Sequence, residues 1–458
     1  MNERLTYLLI LVLNIIIFFL TIFFYKNIWY KKKNQILYKI FLYFYLYKIL
    51  LHGIVVNFLR ILSNGKVNKQ FYVSTFEIFR TEIVEFISNF IYLSTFTLFV
   101  YFLSDEKKAT NNNGLNWEIS VLKLFVGIYL VYLLLPTSVI SVYFWLFDSV
   151  FYYGGIISAS LLLVLSIKDN KKLFLFISAL CLILFFIKQV ITGARGGIVI
   201  VSLTILIFSI ILLDKNKLKR LILITIIPIA LLLLLQNNLK EIKSAFAISY
   251  AAKEYDFNSA EGYVNFIIDY SNNSIKNISE SNGISIFEEI EFRFGAASLF
   301  SSGFYRFTDR EGYVLFNPIK NSLYSFLPRQ MFGDNKPFPS SFDGTEYGMG
   351  MYTCYREIDF FSYSMSDFYV SGHYFWEFGI FGVMLFSALA AFYNIIIIII
   401  AKKFYYYIGA VLLVLSFKPF WILPKLWISE IISMIPILII PFIILIYILK
   451  FFTSLFKK

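Results

Sequence analysis

A chain of 458 residues that is 59% hydrophobic and 20% aromatic, with only 15% charged residues, excludes a water-soluble globular protein and describes a polytopic membrane protein. Its formal net charge of +12 does not call for nucleic acid, because lysine-rich cytoplasmic loops account for surplus positive charge in such a chain. Two cysteines, Cys181 in an apolar run and Cys354 in a polar one, give no pattern for a disulfide framework or a metal site.

The first apolar run starts near Thr6 and passes directly into Lys26 and Lys31 to Lys33 without a small-residue cleavage site, so it reads as a retained helix. Spans of about 20 apolar residues are predicted near 6–25, 36–58, 83–103, 119–135, 149–167 and 173–191. Others follow near 196–213, 221–236, 373–400, 404–422 and 431–449. The fold class is thus an all-α membrane protein with about eleven transmembrane helices. The stretch 138–147 is too short to cross alone and is either a re-entrant piece or the early half of its neighbour, which would make a twelfth element.

Alternate connections carry the lysines: "KNIWYKKKNQ", "SDEKKATNNN", "KDNKK", "DKNKLKR", "AKK" and the terminal "FKK" fall on one side, which the positive-inside rule makes cytoplasmic. The other side receives the 59–82 connection, Pro136 to Asp148, the "TGARGG" turn and the long 237–370 segment. The chain therefore divides into N-terminal membrane helices (1–236), a polar, acid-rich extracytoplasmic segment (237–370) and C-terminal membrane helices (371–458). The Ile, Phe, Asn and Lys bias suits an AT-rich bacterial genome, placing the protein in a bacterial plasma membrane with the large segment in the periplasm. The start of that segment, "LKEIKSAFAISYAAKEY", has apolar residues at helical spacing; it either lies on the bilayer as an amphipathic helix or packs on the rest of the segment.

Arg195 stands between two spans among Gly193, Gly196 and Gly197. A guanidinium never loses its proton, and its planar fork matches phosphate oxygens bidentately. The glycines let a phosphate approach the backbone, and the helix opening near Gly196 adds free N–H groups and a positive dipole end. The competing reading is that Arg195 snorkels to lipid headgroups over a tight turn. Further cations stand in "EFRFGAAS" (Arg293) and "FLPRQMFGDNKPFP" (Arg329, Lys336), each also a salt-bridge candidate for neighbouring acids. In "SGHYFWEFGIFG", His373 is followed one turn later by Glu377 on the same face, a pair suited to general-base work on a sugar hydroxyl or to interfacial anchoring. Asp148, Glu82 and Glu85 stand near outer helix ends as further candidates. His52 lies in an apolar helix and reads as a satisfied core residue. No HExxH or DxD spacing occurs in the outer segment, so catalysis is expected without a protein-bound metal or other cofactor.

"TGARGG" heading a helix, the large outer segment two helices later, "LPRQMFGDNKP" within it and "FGIFG" opening the following helix together resemble the O-antigen polymerases, the Wzy-type oligosaccharide repeat unit polymerases. That likeness spans residues 192–382. It implies transfer of a growing, undecaprenyl-diphosphate-linked glycan to a second lipid-linked repeat unit on the outer membrane face, in O-antigen or capsule biosynthesis. It further implies that Arg195 and Arg293 clamp the diphosphate, with Arg306, Arg329 or Arg356 as substitutes for the second. Arg329 and Lys336 would shape the loop or touch donor phosphate or sugar. His373, or else Glu377 or Asp148, would orient or deprotonate the acceptor hydroxyl. The partners implied are the lipid-linked donor and acceptor, the bilayer and a separate chain-length regulator. An O-antigen ligase or another lipid-dependent glycosyltransferase would use similar groups, and a flippase for the same lipid is the reading from a different class.

Overall fold

The computed structural model describes residues 3–32, 35–63, 74–103, 112–135, 147–191, 196–218, 370–404, 407–416 and 435–455, with isolated positions between 221 and 315. Among the described residues the chain is almost entirely helical and has no strand. The bilayer dictates this, since a helix satisfies every backbone N–H and C=O within one segment. Helix α1 is Glu3–Asn27, and α2 (Gln35–Lys48) runs through a π-helical stretch, Ile49–Val55, into α3 (Val56–Ser63). Helices α4 (Thr75–Phe102) and α5 (Asn112–Leu134) follow, and a second π-helical stretch, Val150–Gly154, leads into α6 (Gly155–Asp169). Next come α7 (Lys172–Ile191), α8 (Gly196–Leu212), α9 (Val370–Lys402), α10 (Tyr407–Ser416) and α11 (Ile440–Leu455).

Seven helices among the described residues are long and apolar enough to cross a membrane, and the protein is a multi-pass membrane protein. The expected span 221–236 lies outside the described residues apart from Leu221, as do most of 138–147 and of the 237–370 segment. One boundary moves. Ser74 caps α4 by accepting from the Glu77 backbone N–H while the Glu77 carboxylate accepts from the Ser74 N–H, a capping box that starts the helix well before residue 83. Glu82 and Glu85 therefore stand inside the helix, two turns and more from its start, and not at its outer end.

The described chain forms two compact units. The first comprises Met1–Lys108, Ile284–Lys402 and Ser416–Pro436, the second Ala109–Gly283, Lys403–Leu415 and Ile437–Lys458. In the first, one buried stripe of α4 runs Ile78, Glu82, Glu85, Asn89, Tyr92, Phe96, Val100, at the three- and four-residue spacing that makes a helix face. Its lower half is an aromatic core: Phe96 stacks on Phe41 with ring centroids 4.0 Å apart, and Trp29 packs edge-on against both and donates to Thr97 Oγ1 at 3.1 Å. Its upper half is polar. Large apolar side chains such as Phe76, Leu98 and Phe102 face outward, the arrangement suited to lipid and not to water.

Helix α9 packs along α4, joined by a Ser88–Ser387 hydroxyl contact of 2.7 Å and by Asn394 Nδ2 donating to Tyr92 Oη at 2.6 Å. It is broken at Phe378 and Gly379, where Gly379 takes φ +63°, ψ −148°. The short first segment then folds back on the second: the Tyr374 ring lies 5.4 Å from that of Phe386, and a Cβ on Gly382 would collide with the Tyr374 carbonyl. In a continuous helix, residues eight apart are about 12 Å apart along the axis.

In the second unit α6 is buried along most of its length and small-residue rich, packing against α7 and α8. Gly155 lies so close to the Tyr129 ring that no Cβ fits there, which brings α6 against α5. Two lysines from connections predicted to be cytoplasmic cap helix C-termini. Lys32 donates to Tyr101 O and Leu103 O at the end of α4, and Lys217 donates to Ile167 O and Lys168 O at the end of α6. Each neutralises the negative dipole end and satisfies carbonyls that the helix leaves over.

Candidate functional site

Among the described residues both units hold ionisable groups that come together beside a π-helical stretch. Such stretches, wound one residue wider than an α-helix, recur at functional positions because they re-aim the side chains beside them.

In the first unit Lys48 ends α2 immediately before the stretch Ile49–Val55 and reaches Glu85 Oε1 at 2.5 Å. It also donates to Asn89 Oδ1 at 2.9 Å, while Asn89 Nδ2 donates to the same Glu85 oxygen at 3.0 Å and the Tyr45 hydroxyl donates to Asn89. The second Glu85 oxygen accepts from Ser371 at 2.6 Å, so the short first segment of α9 is tied into this network. One turn away on α4, Glu82 accepts from Arg60 Nη1 at 3.2 Å, and Asn57 accepts from the same nitrogen at 3.0 Å. Arg60 and Glu377 are both 0% exposed. Charge is removed from solvent only at a cost of several kcal/mol per ion, roughly offset where geometry is good and hydrogen bonds complete the site. In a membrane span such groups point to function by default.

Above this network Arg80 donates through both terminal nitrogens to Asp309, at 2.7 and 3.2 Å. The guanidinium lies 4.9 Å from the Tyr305 ring centre and 5.3 Å from that of Phe375. Burial first, then the Glu85 charge, raises the Tyr305 phenol well above its ordinary range, with Arg80 pulling the other way, so the hydroxyl stays protonated.

In the second unit Asp148 stands just before the π-helical stretch Val150–Gly154 and accepts from the Tyr132 hydroxyl at 2.6 Å. Gln189, near the end of α7, donates to Tyr152 Oη at 3.0 Å. The Tyr132 ring is fixed by stacking on Phe151 and Tyr129, and Tyr152 packs edge-on against Phe185. The cluster thus gathers the last turns of α5 and α7 and the entry to α6. It lies at the face where α7 ends at Ile191 and α8 begins at Gly196.

Of the residues singled out in the sequence, Gly196 and Gly197 open α8, whereas Gly193, Arg195, Arg293, Arg329 and Lys336 lie outside the described residues. His373 occupies the first segment of α9, and its side chain lies outside what is described. Glu377 ends that segment, buried, its backbone carbonyl accepting from Leu315 N–H at 3.2 Å. Among the described residues no three His, Cys, Asp or Glu side chains come together as metal ligands. Sequence reasoning missed Lys48, Arg60, Arg80, Tyr132, Gln189 and Asp309. Lys48 carried a signal, a lone lysine within "FLYFYLYKILLHG" opposite acids in another span. Arg80 and Asp309 carried none, being 229 residues apart. No protein-family model, curated protein or solved structure matches the chain.

Proposed function

We propose that the protein polymerises undecaprenyl-diphosphate-linked oligosaccharide repeat units on the outer face of the bacterial plasma membrane. The observation that most supports this reading is the Asp148 cluster. It offers a carboxylate held by a tyrosine hydroxyl, at the face where α8 opens on two glycines directly after Arg195. The acceptor hydroxyl gives its proton to Asp148 as its oxygen bonds to the anomeric carbon of the donor glycan. The anomeric carbon–oxygen bond breaks, and undecaprenyl diphosphate departs with the electron pair. Arg195, with the α8 backbone N–H groups, balances the charge gathering on that leaving group. Arg293 is the second cation that the resemblance implies. Tyr132 orients the Asp148 carboxylate through one oxygen, leaving the other for the acceptor.

A transporter for the same lipid is the second reading, favoured by the broken α9 and the intramembrane Lys48–Glu85 and Arg60–Glu82 pairs, features that line transport paths in other membrane folds. Proteoliposomes holding the purified protein and fluorescent lipid-linked repeat units separate the readings. The polymerase reading expects oligomers growing by whole repeats, one undecaprenyl diphosphate released per linkage. Movement of the lipid between leaflets with no new linkage would establish a transporter. A single transfer to an added lipid acceptor would establish a ligase.

A further inference from the structure

We propose that Arg80, Asp309 and Tyr313 form a binding subsite for the neutral, hydroxyl-bearing sugars of the glycan substrate; the substrate class rests on the polymerase reading. Arg80 is locked in place by its two aromatic neighbours and its two hydrogen bonds to Asp309, yet its side chain is 33% exposed and that of Asp309 56%. The two charges cancel, so the pair does not select an anion. What it presents is a guanidinium edge of donors beside a carboxylate edge of acceptors, the pattern that a pair of neighbouring sugar hydroxyls satisfies at once. An exposed ion pair is also a poor neighbour for lipid tails, which makes this face an aqueous one.

Next to the pair, Tyr313 is 51% exposed and packs edge-on to Phe375 with its hydroxyl against Gly379, offering an apolar ring for the C–H face of a pyranose. Beneath Arg80, Tyr305 is 2% exposed and its hydroxyl has no hydrogen-bond partner among the described residues.

The backbone around these side chains is fixed at some cost. Gly312 turns the chain at φ +83° with its N–H on Thr308 O. Leu315 takes φ 52°, a conformation that leucine rarely adopts, and is pinned by its N–H on the Glu377 carbonyl. Plain chain reversal does not need a strained leucine. Its effect here is to hold Asp309 and Tyr313 at fixed positions over α4 and at the break in α9.

The test uses the full chain in lipid nanodiscs and, as probe, the lipid-free repeat-unit oligosaccharide cut from the host's own surface polysaccharide, titrated by calorimetry. Wild type is expected to bind it. Tyr313→Ala and Asp309→Asn should each weaken binding about tenfold, and Tyr313→Phe, which keeps the ring and loses only the hydroxyl that lies against Gly379, should bind within about threefold. Melting temperatures of the same samples separate lost binding from lost folding, and Asp309→Asn keeps the test informative if the alanine variant unfolds. No binding by wild type overturns the subsite, and so does unweakened binding by folded Tyr313→Ala and Asp309→Asn. Binding that depends on these residues, in a protein that forms no linkages in proteoliposomes, leaves the subsite standing and removes the polymerase reading.

Discussion

Lys48 and Glu85 meet at 2.5 Å inside the membrane-spanning part of the first unit, and Ser371 closes on the other Glu85 oxygen at 2.6 Å. Three chain segments far apart in sequence are held by one carboxylate. Removing the lysine alone strands a buried charge, whereas removing both charges leaves a neutral site that the surrounding apolar groups tolerate. Lys48→Met and Glu85→Gln are each expected to destabilise by about 3–5 kcal/mol. The double variant should lose clearly less than the sum of the two. Thermal unfolding of the four proteins in one detergent measures this, and additive losses would mean that the pair is not coupled.

Gly379 is required by the break in α9. Its backbone angles lie in a region that only glycine occupies readily, and a Cβ there would stand 2.7 Å from the Tyr313 hydroxyl. Gly379→Ala should therefore cost about 1–3 kcal/mol. A lower melting temperature is the expected result. An unchanged one would show that the break relaxes into continuous helix at no cost.

Much of this architecture is legible from the residues. The spans at 6–25, 173–191 and 196–213 follow from apolar length alone and coincide with α1, α7 and α8. The start of α4 was equally readable, since "STFE" carries the serine and the glutamate of a capping box, but a hydropathy window passes over it because Glu77, Arg80, Glu82 and Glu85 look like loop. Glu82 and Glu85 face inward and find partners on α3 and α2, and Arg80 pairs with the distant Asp309, which no local pattern encodes. Asp148 could be picked out as an acid at a helix end, but its Tyr132 partner could not, because a tyrosine in an apolar span ordinarily reads as packing. The fold-back of α9 was hidden in "FGIFG", where glycines compatible with a helix opening instead break it and let it pack on itself.

In the proposed reaction Asp148 is the base and Tyr132, which donates to it at 2.6 Å, is the group that positions it. With proton transfer to Asp148, Asp148→Asn should lower polymerisation by about 10²–10⁴-fold. Tyr132→Phe keeps the carboxylate and should lower it far less, while changing the pH dependence of the rate. Initial rates of linkage formation across pH in proteoliposomes give both numbers. Equal activity of Asp148→Asn and wild type would remove Asp148 from the chemistry.

The central claim is that a bidentate cation before α8 holds a lipid diphosphate during linkage formation. The most direct measurement is a surface-glycan gel of the native host deleted for this gene and complemented with wild type, Arg195→Lys or Arg195→Ala at matched protein levels. The expected result is a full ladder with wild type and arrest at a single repeat with alanine. Lysine should be impaired nearly as severely, because an ammonium cannot reproduce the planar fork. A full ladder with the alanine variant would contradict the account, and a full ladder with lysine alone would reduce Arg195 to a point charge.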